Sequence, residues 1–247
     1  MSTLLTGSVI AVNHWNQRLC TLKIGVDFPE FEPGQFVRVG LSVDGKPEMR
    51  PYSLINAPSH GFIEIYFNTV PEGSLSTLLY QCKPGDSLLV GSGAAGFFTL
   101  AEVPTAKHLW LLATGTGIGP YLSILATPTP WQRFEKIVLV HSVSTADELV
   151  YLPLIDKLQH QYQGQLTSVY CITREKRANS LQHRIQQCIV NGELESSAGI
   201  SISANESQVM LCGNKKMIEE VMALLALRGL KKNLRRRPGQ ITTEHYY

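Results

Sequence analysis

The chain is poor in cysteine, and no two cysteines are spaced as C-x-x-C: Cys20, Cys82, Cys171, Cys188 and Cys212 are an odd number scattered along the length. That pattern gives no zinc or iron–sulfur framework and suits a reducing cytoplasm better than a disulfide scaffold. No apolar run approaches the roughly 18 residues needed to span a membrane. The opening stretch, Met1 to Gly7, has neither a basic segment nor a long apolar core, so no signal peptide is expected. Excess charge is also lacking. With 22 Lys+Arg against 20 Asp+Glu, the net charge of +2 is too small to imply nucleic-acid binding across the molecule. Repeats and low-complexity segments are absent. The expectation is a cytoplasmic monomer, not inserted in a membrane and without a metal site.

What is present divides in two. A length of 247 residues suits two compact domains of about 100 to 150 residues each. Up to about Leu100, short apolar stretches (Gly7–Val12, Gln35–Val43, Tyr52–Asn56, Phe62–Val70, Ser87–Val90) are punctuated by Pro33-Gly34, Asp44-Gly45, His60-Gly61 and Pro84-Gly85. Evenly spaced strands of this kind read as an antiparallel barrel or sandwich. Beyond Pro104 the stretches His108–Ala113, Ile137–Val143, Leu166–Thr173 and Gln208–Cys212 are nearly continuous apolar strands with helical segments between or after them, which implies a doubly wound parallel sheet. The clearest helix runs from an Asn214 cap to Arg228, with Met217, Val221, Leu224 and Leu225 on one stripe and Gly229 as its stop. Another, Leu149–Tyr162, places Leu152, Ile155, Leu158 and Tyr162 on one face. The boundary is expected near residues 100 to 106, giving domains 1–102 and 103–247.

Two motifs in the first half belong together. Arg50-Pro51-Tyr52-Ser53 offers an arginine for a pyrophosphate, an aromatic ring to cover an isoalloxazine and a hydroxyl to meet its N5 edge. Gly73-Ser74-Leu75-Ser76 opens a helix whose free amides suit the same diphosphate. In this order the pair resembles the plant-type ferredoxin–NADP reductase superfamily, in particular its bacterial ferredoxin/flavodoxin–NADP(+) reductases, and the resemblance extends over nearly the whole chain. It implies an N-terminal antiparallel β-barrel that binds FAD and a C-terminal Rossmann-like α/β domain that binds NADP. On this resemblance Ser53 sits at the flavin N5, and Tyr66, Phe67 and Asn68 meet the adenosine or the flavin ring.

Thr114-Gly-Thr-Gly-Ile-Gly-Pro120 follows one predicted strand and precedes a helix, as glycine-rich phosphate turns do, although its spacing is G-x-G-x-G. The resemblance puts this segment beside the nicotinamide, with Thr116 also touching the flavin. Dinucleotide choice rests on what meets the ribose 2′ position, since an acid selects the hydroxyl of NAD and arginines select the phosphate of NADP. Thr173 and Arg174 end a predicted strand, and Arg184 opens or lies in the following helix; they resemble the arginine site for the 2′-phosphate in bacterial members. The loop through Val143 and Ser144 departs from those members, which carry an arginine where Ser144 stands. NADP preference is therefore expected to be weaker than the family pattern implies.

Cys212-Gly-Asn-x-x-Met217 matches the superfamily's turn against the nicotinamide, where Cys212 aligns the ring and Asn214, Lys215 and Met217 line the cofactor. At the carboxyl end, the resemblance has Tyr246 shielding the flavin opposite Tyr52 and Tyr247 stacking on the adenine of a folded FAD. Glu244 is the candidate carboxylate for proton handling, so the catalytic candidates are Ser53, Cys212 and Glu244. The run Arg228, Lys231, Lys232, Arg235, Arg236 and Arg237 contains no acid and can steer an acidic carrier such as ferredoxin or flavodoxin. The function implied is hydride transfer between NADP(H) and FAD coupled to single-electron exchange with that carrier. The rival readings are an NAD(P)H-dependent flavin or small-molecule reductase, which commonly lacks the aromatic tail, and the reductase component of an oxygenase, which commonly carries clustered cysteines.

Overall fold

A computed structural model describes residues 4–59, 61–70 and 74–246, which form two units. The first comprises residues 1–99 and 119–127 and the second residues 100–118 and 128–247. Among the described residues no helix is long and apolar enough to cross a membrane.

The first unit is built on six antiparallel strands: β1 (Leu4–His14), β2 (Leu19–Gly25), β3 (Phe36–Val43), β4 (Lys46–Ser53), β5 (Phe62–Asn68) and β6 (Ser87–Gly91), in the sheet order β4-β3-β6-β1-β2-β5. β3 and β4 are joined by Asp44-Gly45, both with positive φ (49° and 74°), the two-residue turn whose twist matches the strands it connects. β4 is an edge strand and tolerates Pro47 and Pro51, which have no amide to donate to a second neighbour. Past Ser53 the chain crosses to the other edge: Leu54 bridges Ile65 and the Ile55 amide donates to Glu64 O at 3.0 Å, which closes the sheet into a barrel. Leu22, Ile24, Val39, Ile63, Ile65 and Val90 fill the interior at 0% exposure. Helix α1 (Ser74–Gln81) adds Leu75 and Leu79 to that core, and α2 (Gly119–Leu125) is buried along its whole length, with Ser123 Oγ donating to Asn56 O at 2.7 Å.

Two expectations change here. The strand expected over Tyr52–Asn56 instead ends at Ser53, so the Arg50–Ser53 motif forms the last half of β4. β2 had not been anticipated because nearly every residue in Leu19–Gly25 is buried, which removes the alternation that marks a half-exposed strand.

The second unit carries five parallel strands: β7 (His108–Thr114), β8 (Lys136–Val143), β9 (Leu166–Ile172), β10 (Ser207–Asn214) and β11 (Ile241–Tyr246), in the order β11-β10-β7-β8-β9. Its helices are α3 (Thr129–Arg133), α4 (Leu152–Gln161), α5 (Ile185–Val190), α6 (Glu193–Ala198) and α7 (Lys215–Leu227). α4 begins later than the expected Leu149 because Pro153 belongs in a first turn. Tyr162 ends it, stacked on Trp131 at 3.6 Å between centroids. Asn214 caps α7 and accepts from the amides of Lys216 (2.9 Å) and Met217 (3.3 Å). The unanticipated β11 takes the carboxyl-terminal segment into the sheet edge, in register from Val209↔Ile241 to Asn214↔Tyr246.

Candidate functional site

In the second unit the strand order reverses between β7 and β10, since β8 and β9 lie to one side of β7 and β10 and β11 to the other. In such sheets the crevice beyond the strands' carboxyl ends at that reversal is where a ligand fits. Here the two facing turns are built by close backbone approach. A Cβ on Gly117 would sit 2.6 Å from Cys212 O, and one on Gly213, whose φ is 122°, would sit 2.3 Å from Thr114 Oγ1. Thr114 Oγ1 also accepts the Asn214 amide at 2.8 Å. His141, buried in β8, holds the other side of the glycine turn, with its Nε2 donating to Gly115 O at 2.9 Å. Burial lowers its pKa to about 4, so the ring is neutral and keeps that proton at physiological pH.

A cavity of about 530 Å³ opens at this end of the sheet. Its walls include Val143, Ser144, Thr173, Arg174, Arg184, Asn214 and Met217, seven of the eight residues expected to hold the second nucleotide. The eighth, Lys215, is not in the wall and approaches Glu219 at 3.9 Å. Arg184 is the N-cap of α5, and its amide donates to Gln187 Oε1 at 3.3 Å. The loops after β8 and β9 are clasped together by Thr173 N–H to Val143 O (3.2 Å) and Arg174 N–H to Ser144 O (2.9 Å). Thr114, which opens the glycine turn, also lines the cavity, as do Ser142, Glu148 and Lys216, which had not been singled out. Lys216 lies inside the Cys212–Met217 turn, between Lys215 and Met217, whereas Glu148 belongs to no local motif; only the folded loop brings it in. A more apolar groove of about 720 Å³ lies between α5 and α7 and contains only Gln186 in common with this cavity.

Cys212 is wholly buried, and burial and then Glu244 hold its thiol well above its ordinary pKa. Glu244 faces it across the β10–β11 register. Burial pushes the Glu244 carboxyl up to about 7, and among the described residues its Oε2 has no hydrogen-bond partner. Tyr246 is half-buried at the end of β11, and Thr116 is half-buried in the 3₁₀ turn Gly115–Ile118. Tyr247 lies outside the described residues.

In the first unit the edge strand β4 presents Arg50 exposed, Tyr52 half-buried and Ser53 buried. Arg50 approaches Glu48 at 3.5 Å and donates to Met49 O. The Tyr52 ring meets Phe67 edge-on at 5.6 Å, and its hydroxyl is pushed up to about 12, chiefly by burial, so it stays neutral. Tyr66 and Phe67 are buried in β5, whereas Asn68 is exposed at the strand's end. Helix α1 starts at Ser74 with no acid in its first turn, which leaves the positive end of its dipole to an anion; Leu75 packs inward and Ser76 Oγ accepts the Val70 amide at 3.0 Å. Gly73 lies outside the described residues.

The basic run is folded back onto the second unit. Arg235 grips the Glu102 carboxylate with two nitrogens (2.8 to 3.1 Å), and Arg228 pairs with Glu195 at 2.8 Å. Lys231, Lys232, Arg236 and Arg237 stand exposed.

The chain's likenesses to known proteins divide in the same way. Residues 11–99 match the oxidoreductase FAD-binding domain family, and residues 111–223 match the oxidoreductase NAD-binding domain family. Over 248 aligned residues, covering all of both chains, the protein is 45% identical to the flavodoxin/ferredoxin–NADP reductase of Escherichia coli (strain K12). It is 35% identical to the ferredoxin–NADP reductase of Pseudomonas aeruginosa over all of this chain and 99% of that one. The solved structure of a ferredoxin NADP+ reductase from Neisseria gonorrhoeae with bound FAD and NADP superposes with a TM-score of 0.94, at 29% identity and complete coverage of both chains.

Proposed function

The chain belongs to the flavodoxin/ferredoxin–NADP reductase family, and on that premise we propose that it is a FAD-dependent oxidoreductase passing electrons between NADP(H) and ferredoxin or flavodoxin. The observation that carries the reading is the convergence of Ser144, Thr173, Arg174, Arg184, Asn214 and Met217 on one cavity at the point where the parallel sheet reverses its order. We place the divide between the FAD-binding and NADP-binding portions at residues 102/103.

The residues of the first unit fit a flavin. Arg50 and the first turn of α1 are suited to the diphosphate, the Tyr52 ring to the isoalloxazine face, Ser53 to its polar edge, and Tyr66, Phe67 and Asn68 to the remaining surface. FAD, when bound, supplies the chemistry that links two-electron transfer with one-electron transfer. The protein's own contribution is positional. The glycine turn, held by His141 and Asn214, gives a fixed floor to the nicotinamide end of the dinucleotide, and Arg174 and Arg184 meet its adenosine 2′-phosphate. Cys212, neutral and buried, serves as packing beneath that end, while Glu244 is a carboxyl able to hold or release a proton near neutrality. The exposed Lys231, Lys232, Arg236 and Arg237 support docking of an acidic carrier. Five free, buried cysteines support a reducing, cytoplasmic setting.

The test is an anaerobic absorbance titration of the purified protein. A flavin band near about 450 nm should bleach with NADPH, and re-oxidation by ferredoxin or flavodoxin should slow as salt is raised. A protein that purifies without flavin, or whose flavin NADPH leaves oxidised, overturns the proposal.

A further inference from the structure

The nucleotide cavity contains a side chain that works against a phosphate. The loop after β8 contributes one charged residue to the wall, and it is acidic: Glu148, half-buried, with its Oε2 accepting the Ser144 amide at 3.2 Å. Ser144 is also the residue whose carbonyl receives the Arg174 amide at 2.9 Å, so the carboxylate and the Arg174 backbone are tied to the same loop position. The surrounding charges are mixed. Arg174 and Arg184 line the cavity, and Lys216, also in the wall, is shared with Glu220 at 3.8 Å. Glu175, outside the wall, takes the Ala146 amide and so adds a second carboxylate to the same loop.

Resting on the dinucleotide cavity proposed above, we propose that Glu148 is a specificity-determining residue that lets this enzyme use NADH as well as NADPH. A carboxylate at the ribose accepts from the 2′-hydroxyl of NADH, and it repels the 2′-phosphate of NADPH. Arg174 and Arg184 act in the opposite sense. Glu148 is placed for the first task because it is part of the cavity wall. The position is also fixed, because the amide that holds Glu148 belongs to a loop clasped to the next one by backbone hydrogen bonds. The cavity wall therefore sets one acid against Arg174, Arg184 and a Lys216 that also approaches Glu220, and discrimination between the two nucleotides is set by that balance.

The experiment compares wild type, Glu148→Gln and Glu148→Asp, each as the FAD-loaded protein. Binding of adenosine 2′,5′-bisphosphate and of 5′-AMP is measured by calorimetry at low ionic strength, with flavin bleaching by NADPH and NADH alongside. Glu148→Gln keeps an oxygen for the Ser144 amide and removes the charge. It should raise the preference for the bisphosphate over 5′-AMP about tenfold, the scale of losing one partly screened like-charge contact. The NADPH:NADH bleaching ratio should rise in parallel, while Glu148→Asp, which retains the charge, should stay near wild type. An unchanged preference in Glu148→Gln, or a wild type that NADH leaves oxidised while NADPH bleaches it, overturns the assignment and spares the reductase reading. A wild type that binds neither adenosine nucleotide and responds to neither coenzyme overturns both.

Discussion

Replacing Glu244 by Gln should stabilise the protein at alkaline pH and do little at acid pH. Glu244 pairs with Cys212 in the β10–β11 register, its Oε2 is satisfied by no described residue, and burial raises its pKa from 4.5 to about 7. In the unfolded chain the group loses its proton near 4.5, and in the folded chain it keeps it to about 7. Between those values the folded state binds more protons, so stability falls as pH rises through the window. Below 4.5 both states are protonated and the burden vanishes; above 7 it is complete. A gap of about 2.5 units at about 1.4 kcal/mol each gives roughly 3 kcal/mol. Glutamine carries no charge to desolvate at any pH. Thermal melts of the FAD-loaded proteins should give a difference, variant minus wild type, that grows between pH 5 and pH 8 by about 6 to 12 °C for a chain of this size. A difference that stays flat over that range would show that Glu244 ionises as an ordinary surface carboxylate, and its candidacy as the proton-handling group would fall with it.

Gly117→Ala would place a Cβ 2.6 Å from the Cys212 carbonyl, so the two facing turns must open by roughly 0.8 Å to reach an ordinary 3.4 Å contact. A loss of about 1 to 3 kcal/mol in stability and a tenfold or greater drop in kcat/KM for NADPH are expected, read by melting and by steady-state kinetics. Asn214→Ala removes the acceptor for the Lys216 and Met217 amides and should cost about 1 kcal/mol, or 2 to 4 °C in Tm, with FAD retained.

What the sequence disclosed and what it hid follow from the range over which each signal acts. The α7 helix was legible because its cap, apolar stripe and Gly229 stop are local, and Asn214 and Arg228 stand at its two ends as expected. The parallel strands were legible because burial on both faces leaves an unbroken apolar run, as in Leu109–Ala113. β11 was not, since Thr242, Thr243, Glu244 and His245 are polar and become a strand only by pairing with β10, more than 25 residues earlier. The basic run misleads for the same reason. Six cations without an intervening acid read as one field, but Glu102 and Glu195, distant in sequence, occupy Arg235 and Arg228. Glu148 shows the principle at the site itself. Within its own segment it is one of two acids in a short 3₁₀ turn, and it acquires meaning only when the loop after β9 brings Arg174 into the same cavity wall. A motif fixes which nucleotide class a cavity can hold, because it specifies backbone shape. Selectivity between two members of that class depends on the sum of charges that several loops deliver, and no single stretch of chain records that sum.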